Sequence, residues 1–410
     1  MWRRIPVRKI VTRTALAVAA VQAGTLAALA VVDHRRKRNR RPAAFPRVAP
    51  HSVTAGGSEV TLYTYGEDLY YDMLSAIRHA KKRIFFETFI WKSDPIGQAF
   101  KDALIQAADR GVEVYVIYDV FANLVVPPSF YRFPDNIHVL RYPLFGGGAM
   151  FWHPRHSGRD HRKLVVVDED VAYVGGYNIG SLYATDWRDT HSRLTGDIVT
   201  EMQNAFIDFW NLSGPRQPEL EDPKTRTWVP NFRVHRNLPR HYVYPIRGMY
   251  LEAIDRAQHH VYLTHAYLVP DRDMRDALTK AVERGVDVRV IVPAESNHIV
   301  ADWLSRGFYS HLFKGGVRLF LYQGAMVHAK TATIDGEWST VGTANIDRLS
   351  LTGNYEINVE IFDADTARQM ERIFDVDAGN CVELTLEHWQ RRNPLMKVSE
   401  AILTPFRPFV

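Results

Sequence analysis

An internal repeat constrains this chain more than any other feature. HRKLVVVD at 161–168 recurs as HAKTATID at 328–335, so the pattern H-x-K-x-x-x-x-D is written twice. The match runs on past the motif: VGGYN, with Asn178, follows the first copy, and VGTAN, with Asn345, follows the second. His, Lys, Asp and Asn are all displaced by the same 167 positions. A lone His-x-Lys is common on surfaces. Two extended copies in register imply one site assembled from two like halves.

Strand geometry gives the spacing a meaning. Residues i and i+2 of a strand share a face, so His161 and Lys163 project together, as do His328 and Lys330. Asp168 and Asp335 stand an odd number of positions from their histidines and face the other way. They open DED and DGEW, which suit reversals between apolar runs. A hairpin about each Asp returns Gly175 and Asn178 to His161, and Gly342 and Asn345 to His328. Two imidazoles, two ammonium groups and two carboxamides then converge. That set suits a phosphodiester, which needs a nucleophile, a proton donor, fixed positive charge and amide donors. The candidate catalytic residues are therefore His161, Lys163, Asp168, His328, Lys330 and Asp335, the two Asp being better suited to holding turns than to chemistry. Asn178 and Asn345 are the candidate phosphate-binding amides. The same step carries Asp189 onto Glu356, each 28 positions after a histidine. A carboxylate on one ring nitrogen fixes the tautomer and leaves the other nitrogen to react, so Asp189 is read as orienting His161, and Glu356 His328.

The repeat extends upstream. AIRHAKKRIFFETFIWKSD at 76–94 matches AIDRAQHHVYLTHAYLVPD at 253–271, and RGVEVYVIYD at 110–119 matches RGVDVRVIVP at 284–293. These read as helix, buried strand, helix, buried strand, the alternation of an α/β fold. The expectation is two similar α/β halves, with mainly parallel or mixed sheets, packed around a shared pseudo-twofold site. The halves are placed at 59–214 and 241–386, with linkers at 42–58 and 215–240, the latter around the Pro-rich stretch 213–230. With 410 residues and 46% hydrophobic content, such a chain buries a substantial core.

Residues 14–32, TALAVAAVQAGTLAALAVV, carry no charge and would span roughly 28 Å as a helix, near the ~30 Å of a bilayer's hydrocarbon. With its basic flanks, 1–41 reads as a single-pass N-terminal anchor in the cell membrane. A cleaved signal peptide fits less well, because dense positive charge at HRRKRNRR resists export. That cluster favours a cytoplasmic catalytic body and attracts anionic lipid. Residues 1–41 carry eleven Lys and Arg against one Asp, more than the whole chain's formal charge of +5, so the body is not basic, and no nucleic-acid partner is expected. The tail at 387–410 mixes Trp389, Phe406 and Phe409 with basic residues, which suits either a membrane interface or a docked helix. His153, His156 and His161 could be taken for a metal cluster, but only His161 is repeated, so no metal is expected. Gly146 to Gly148 lack the Lys-Ser/Thr of a phosphate loop. The single Cys381 excludes an internal disulfide.

With these motifs in view, the chain resembles the phospholipase D superfamily and, within it, bacterial cardiolipin synthases. The resemblance covers roughly 59–390 and includes ETFIWKSD, WRDTHSRLTG, GEWSTVGTANID and NYEINVEIFD. One departure is THAYLVPD, where His265 and Ala266 replace the branch's usual Pro-Tyr. The resemblance implies transfer of a phosphatidyl group between two phosphatidylglycerols, giving cardiolipin and glycerol through a phosphohistidine. It implies His161 as nucleophile and His328 as general acid/base, no cofactor, membrane phospholipids as partners, and no obligate protein partner. The same core would also serve a phospholipase D that uses water, or a nuclease or other phosphodiesterase of that superfamily.

Overall fold

The computed structural model describes residues 44–144, 158–214, 217–221, 229–297 and 299–391, together with Gly24. Apart from Gly24, the apolar span 14–32 lies outside these residues, as do His153, His156, Gly146 to Gly148, Phe406 and Phe409. Among the described residues no helix is long and apolar enough to cross a membrane.

Each half is built on an eight-stranded sheet. In the first, β1 (His51–Ala55), β2 (Ser58–Tyr63), β3 (Arg83–Thr88), β4 (Glu113–Asp119), β5 (Ile137–Tyr142), β6 (Leu164–Val167), β7 (Val171–Gly175) and β9 (His191–Thr195) take the order β1-β2-β9-β7-β6-β3-β4-β5. In the second, β10 (Phe232–Asn237), β11 (His260–His265), β12 (Asp287–Pro293), β13 (Arg318–Tyr322), β15 (Lys330–Ile334), β16 (Trp338–Gly342), β17 (Glu356–Phe362) and β18 (Cys381–Leu384) take the order β10-β17-β16-β15-β11-β12-β13-β18. From β2 to β5 and from β10 to β13 the two orders correspond strand for strand.

Both sheets are mixed. Parallel pairing is confined to β3-β4-β5 and β11-β12-β13. The rest is antiparallel, because each motif folds as a hairpin, β6–β7 and β15–β16, and further strands extend the sheet from it. This is less parallel than the βα alternation alone predicts. Strands β1 and β10 fall inside the stretches read as linkers. Their mixed burial gives no clean apolar alternation, so the sequence signal there is weak.

Matching helices cover matching faces. Gly66–His79 and Pro95–Asp109 flank the first sheet as Pro245–Arg256 and Arg272–Glu283 flank the second. Asp94 and Asp271 cap equivalent helices, accepting from Gly97 N at 3.0 Å and Met274 N at 2.9 Å. On the other face lie Ile198–Ser213 and Ala364–Gly379. There Ala172, Val174 and Leu194 of the first half share one apolar core with Val341, Ile357 and Val359 of the second. The halves are thus fused through their centres, which places both motif hairpins side by side. At the C-terminal end, Trp389 is buried against Tyr309 and Phe313 and donates to Ser310 Oγ at 2.8 Å. It is a packing residue and unavailable to a membrane interface.

Candidate active site

Both hairpins turn at the motif Asp. Asp168 and Asp335 have φ of 55° and 54°, a left-handed conformation that Asp tolerates better than most residues. Asp168 accepts from the backbone N–H of Lys81, Lys82 and Arg83 at 2.6–3.0 Å. Asp335 does the same for Gln258, His259 and His260 at 2.7–2.8 Å. Each Asp therefore ties its hairpin to the loop entering β3 or β11, at the end of the sheet remote from the histidines. Neither touches the convergent groups, which separates them from the other four residues of the motif pair.

At the near end, the register that pairs Leu164 with Val174 brings Gly175 level with Lys163. Lys163 Nζ donates to the carbonyl of its own motif histidine at 2.7 Å, and Lys330 Nζ makes the equivalent bond to His328 O. Lys330 Nζ also lies 3.0 Å from His328 Nδ1. The ring of Phe89 meets His161 edge-on at 4.6 Å, and Trp187 lies 5.0 Å from His328.

The orienting carboxylates cross between halves. His161 Nδ1 lies 2.9 Å from both oxygens of Glu356, and His328 Nδ1 lies 2.6 Å from Asp189 Oδ2. Spacing pairs His161 with Asp189 and His328 with Glu356; the structure pairs them the other way. The backbone explains this. Asp160 forms a parallel bridge to Tyr355, and His161 N donates to Tyr355 O at 3.1 Å. In the mirrored contact, β14 (Met326–Val327) runs parallel to β8 (Trp187–Arg188), and His328 N donates to Arg188 O at 2.7 Å. Each histidine therefore enters beside the residue preceding the other half's carboxylate.

The carboxylates are themselves held. Thr190 N donates to Asp189 Oδ1 at 2.7 Å, and Thr343 Oγ1 donates to Glu356 Oε2 at 2.5 Å. Gly176, the counterpart of Thr343, is required by space: a Cβ there would fall 2.0 Å from Asp189 Oδ1. Asn178 Oδ1 accepts from Ile90 N at 3.1 Å, which leaves its Nδ2 as the donor end. Among the described residues the buried Asn345 Oδ1 has no hydrogen-bond partner.

Burial and like charge shape the electrostatics. Burial first, then the Lys163 and Lys330 ammonium groups, hold His161 well below the ordinary imidazole range. Burial and Lys330 push His328 down to about 3. Burial lowers Lys163 to about 7 and Lys330 to about 8. Burial raises Glu356 to about 8, against the opposing pull of Lys163. Burial would raise Asp189 too, but His328 and Lys330 outweigh it and hold that carboxyl below its usual value. Each imidazole is thus unprotonated at rest, with Nδ1 occupied and Nε2 left for chemistry. Each also feels the other half's lysine, so the two motifs form one electrostatic unit.

A family model described as cardiolipin synthase, PLD-like domain, matches residues 73–210 and again 250–378. The chain belongs to this family. It is 32% identical over 374 residues to a cardiolipin synthase of Listeria monocytogenes, covering 88% of this chain and 77% of that one. It is 30% identical over 390 residues to the major cardiolipin synthase of Bacillus subtilis, again covering 88% and 77%. A phosphatidylserine synthase of Haemophilus influenzae shares the fold with a TM-score of 0.69 at 15% identity, covering 92% of this chain and 97% of that one.

Among members of a family with two such motifs, the contacts that break the internal symmetry are informative. Arg188, fully buried, pairs with Asp377 through Nε at 3.0 Å and Nη2 at 2.6 Å. It also donates to Thr190 Oγ1 at 2.9 Å, bracing the segment that carries Asp189. The first half alone buries Glu87 and Asp160 around Arg162, whose Nη2 lies 3.0 Å from Glu87; Thr264, Val327 and Ala329 occupy the corresponding positions in the second. No pattern in the sequence marks these contacts. His265 is fully buried, and among the described residues neither ring nitrogen has a hydrogen-bond partner. It sits opposite Lys330 in the β11–β15 register. Among the described residues no group of three His, Cys, Asp or Glu side chains is placed to hold a metal ion. A cleft of about 680 Å³ beside Arg233, Trp338 and Phe362 opens at the Asp335 end of the second sheet, away from the histidines.

Proposed function

We propose that this protein is a phosphatidyl transferase that converts two phosphatidylglycerols into cardiolipin and glycerol. The observation that carries the chemistry is the pair of imidazoles, each held at Nδ1 by a buried carboxylate and flanked by two lysines. His161 Nε2 attacks the phosphorus of the first lipid, and the P–O bond to glycerol breaks. His328 gives a proton to the departing glycerol oxygen. The second lipid's head-group hydroxyl then loses its proton to His328 and attacks the same phosphorus, which frees His161. The entering anionic diester supplies the negative charge that an imidazolium at His328 and two ammonium groups require. Lys163, Lys330 and the Asn178 and Asn345 amides stabilise the phosphoryl oxygens as charge develops. Asp168 and Asp335 serve the site only by fixing the hairpins. The relatives named as cardiolipin synthases support the choice of lipid, and the 14–32 span supports membrane attachment.

Purified protein incubated with labelled phosphatidylglycerol in vesicles should release cardiolipin and glycerol in near-equal amounts. Phosphatidic acid as the main product would replace the transferase with a phospholipase D. No consumption of the lipid would remove the phosphatidyl reading altogether.

A further inference from the structure

We propose that the end of the molecule bearing the two histidines is a membrane-docking face, seated on an anionic lipid bilayer with the pseudo-twofold axis along the membrane normal. The inference rests on reading the site as a phosphatidyl transferase. In both sheets the histidines lie at the ends where β4 and β12 finish and β9 and β17 begin. The loops at that end carry large apolar side chains in water. After β4, Phe121 is 53%, Leu124 60% and Val125 81% exposed. Leu182 and Leu349, equivalent under the 167-residue step, are exposed on the short helices Ser181–Thr185 and Arg348–Thr352. Val243, in the connection that leaves β10 at the site end, is exposed as well.

A single exposed Leu is ordinary. Apolar side chains exposed from both halves at the same end of the two sheets are not. Exposed cations share the same segments: Arg132 beyond Val125, Arg240 before Val243, and Arg348 beside Leu349. That combination matches the apolar boundary and negative surface of an anionic bilayer. In a face-to-face pairing of two copies the same cations would confront each other, which disfavours a second copy as the occupant. The chemistry adds a reason. Donor and acceptor are both diacyl lipids whose chains stay in the bilayer, and a site fed by both halves at one end can draw both from one leaflet.

The test uses full-length protein in vesicles of phosphatidylglycerol and phosphatidylcholine, with Cys381→Ser removing the native thiol. Val125→Cys, Leu182→Cys and Leu349→Cys each receive an environment-sensitive fluorophore, and Glu337→Cys, on the turn at the remote end, serves as control. Quenching by spin-labelled acyl chains at 125, 182 and 349, but not at 337, is the expected result. Quenching confined to one half, or absent from all three, overturns the proposal, as does a concentration-dependent blue shift without vesicles. A Val125→Asp/Leu349→Asp variant should lose about tenfold in turnover on vesicles, while staying within about twofold on monomeric short-chain phosphatidylglycerol. Equal loss on both substrates, or loss on neither, also overturns it. Quenching needs no turnover, so a wild type that docks but consumes no lipid would sink the transferase reading and leave the docking face standing.

Discussion

Replacing Glu356 by Gln keeps the side chain's shape but removes a group able to turn anionic beside a cationic imidazole, so it isolates what the crossed pairing contributes. In the resting site Glu356 and His161 are both buried, with Nδ1 at 2.9 Å from each oxygen. As His161 attacks, its ring becomes cationic beside Lys163 and Lys330, and Glu356 is the carboxylate in contact. Unit charges about 4 Å apart at an effective dielectric of 20 interact by about 4 kcal/mol, which corresponds to on the order of 10³ in rate. The amide can also donate to Nδ1, which moves the ring proton to Nε2 and blocks attack. Asp189→Asn should cost a similar factor, but through His328 and the proton it delivers. A donor that carries p-nitrophenol in place of glycerol separates the two, because that leaving group departs without a proton. The burst of nitrophenolate should return to near wild-type rate in Asp189→Asn and stay about 10³-fold slow in Glu356→Gln. Rescue of Glu356→Gln alone would reverse the roles of the histidines. Equal rescue of both variants would refute the role of Glu356 in supporting the charge on the attacking histidine.

Because burial lowers Lys163 to about 7 and Lys330 to about 8, kcat/KM should fall as pH rises through 7–8, where the free protein loses positive charge; Lys163→Arg should move that alkaline limb upward while lowering the rate, and an unmoved limb would assign it to another group. The same shift has a stability consequence of defined sign: the unfolded chain keeps these protons up to the ordinary lysine value, so the two lysines contribute stability that grows with pH above about 7, and a Lys163→Met/Lys330→Met variant should show a flatter rise of urea resistance with pH than the parent. Asp335→Ala strips three backbone N–H groups of their acceptor and should cost roughly 2 kcal/mol in unfolding free energy, while the folded fraction keeps its turnover; a selective loss of turnover at unchanged stability would return Asp335 to the chemistry. Because Lys163 and Lys330 supply the fixed charge, millimolar EDTA should leave the initial rate within about twofold, and a loss restored specifically by zinc would revive the cluster of His153, His156 and His161.

What the sequence determined by itself is everything that repeats. The 167-residue step marks two halves, the i, i+2 spacing places each Lys with its His, and the turn chemistry at Asp168 and Asp335 foretells hairpins that the φ values of 55° and 54° display. These are local properties, set by the chirality of the backbone and the pleat of a strand, and they read out without knowledge of the partner half. What the tertiary structure decided is which half completes which site. Glu356 lies 195 residues from His161, and Asp189 lies 139 from His328; each spacing of 28 within a half is the wrong pair. An internal repeat cannot distinguish pairing within a copy from pairing between copies, because both preserve the step. The choice is made where Asp160 meets Tyr355 and Met326 meets Trp187, after the apolar faces around Val174 and Val359 have packed the two sheets together. The same packing brings Arg188 onto Asp377 and buries Trp389, contacts between distant segments that no periodicity encodes.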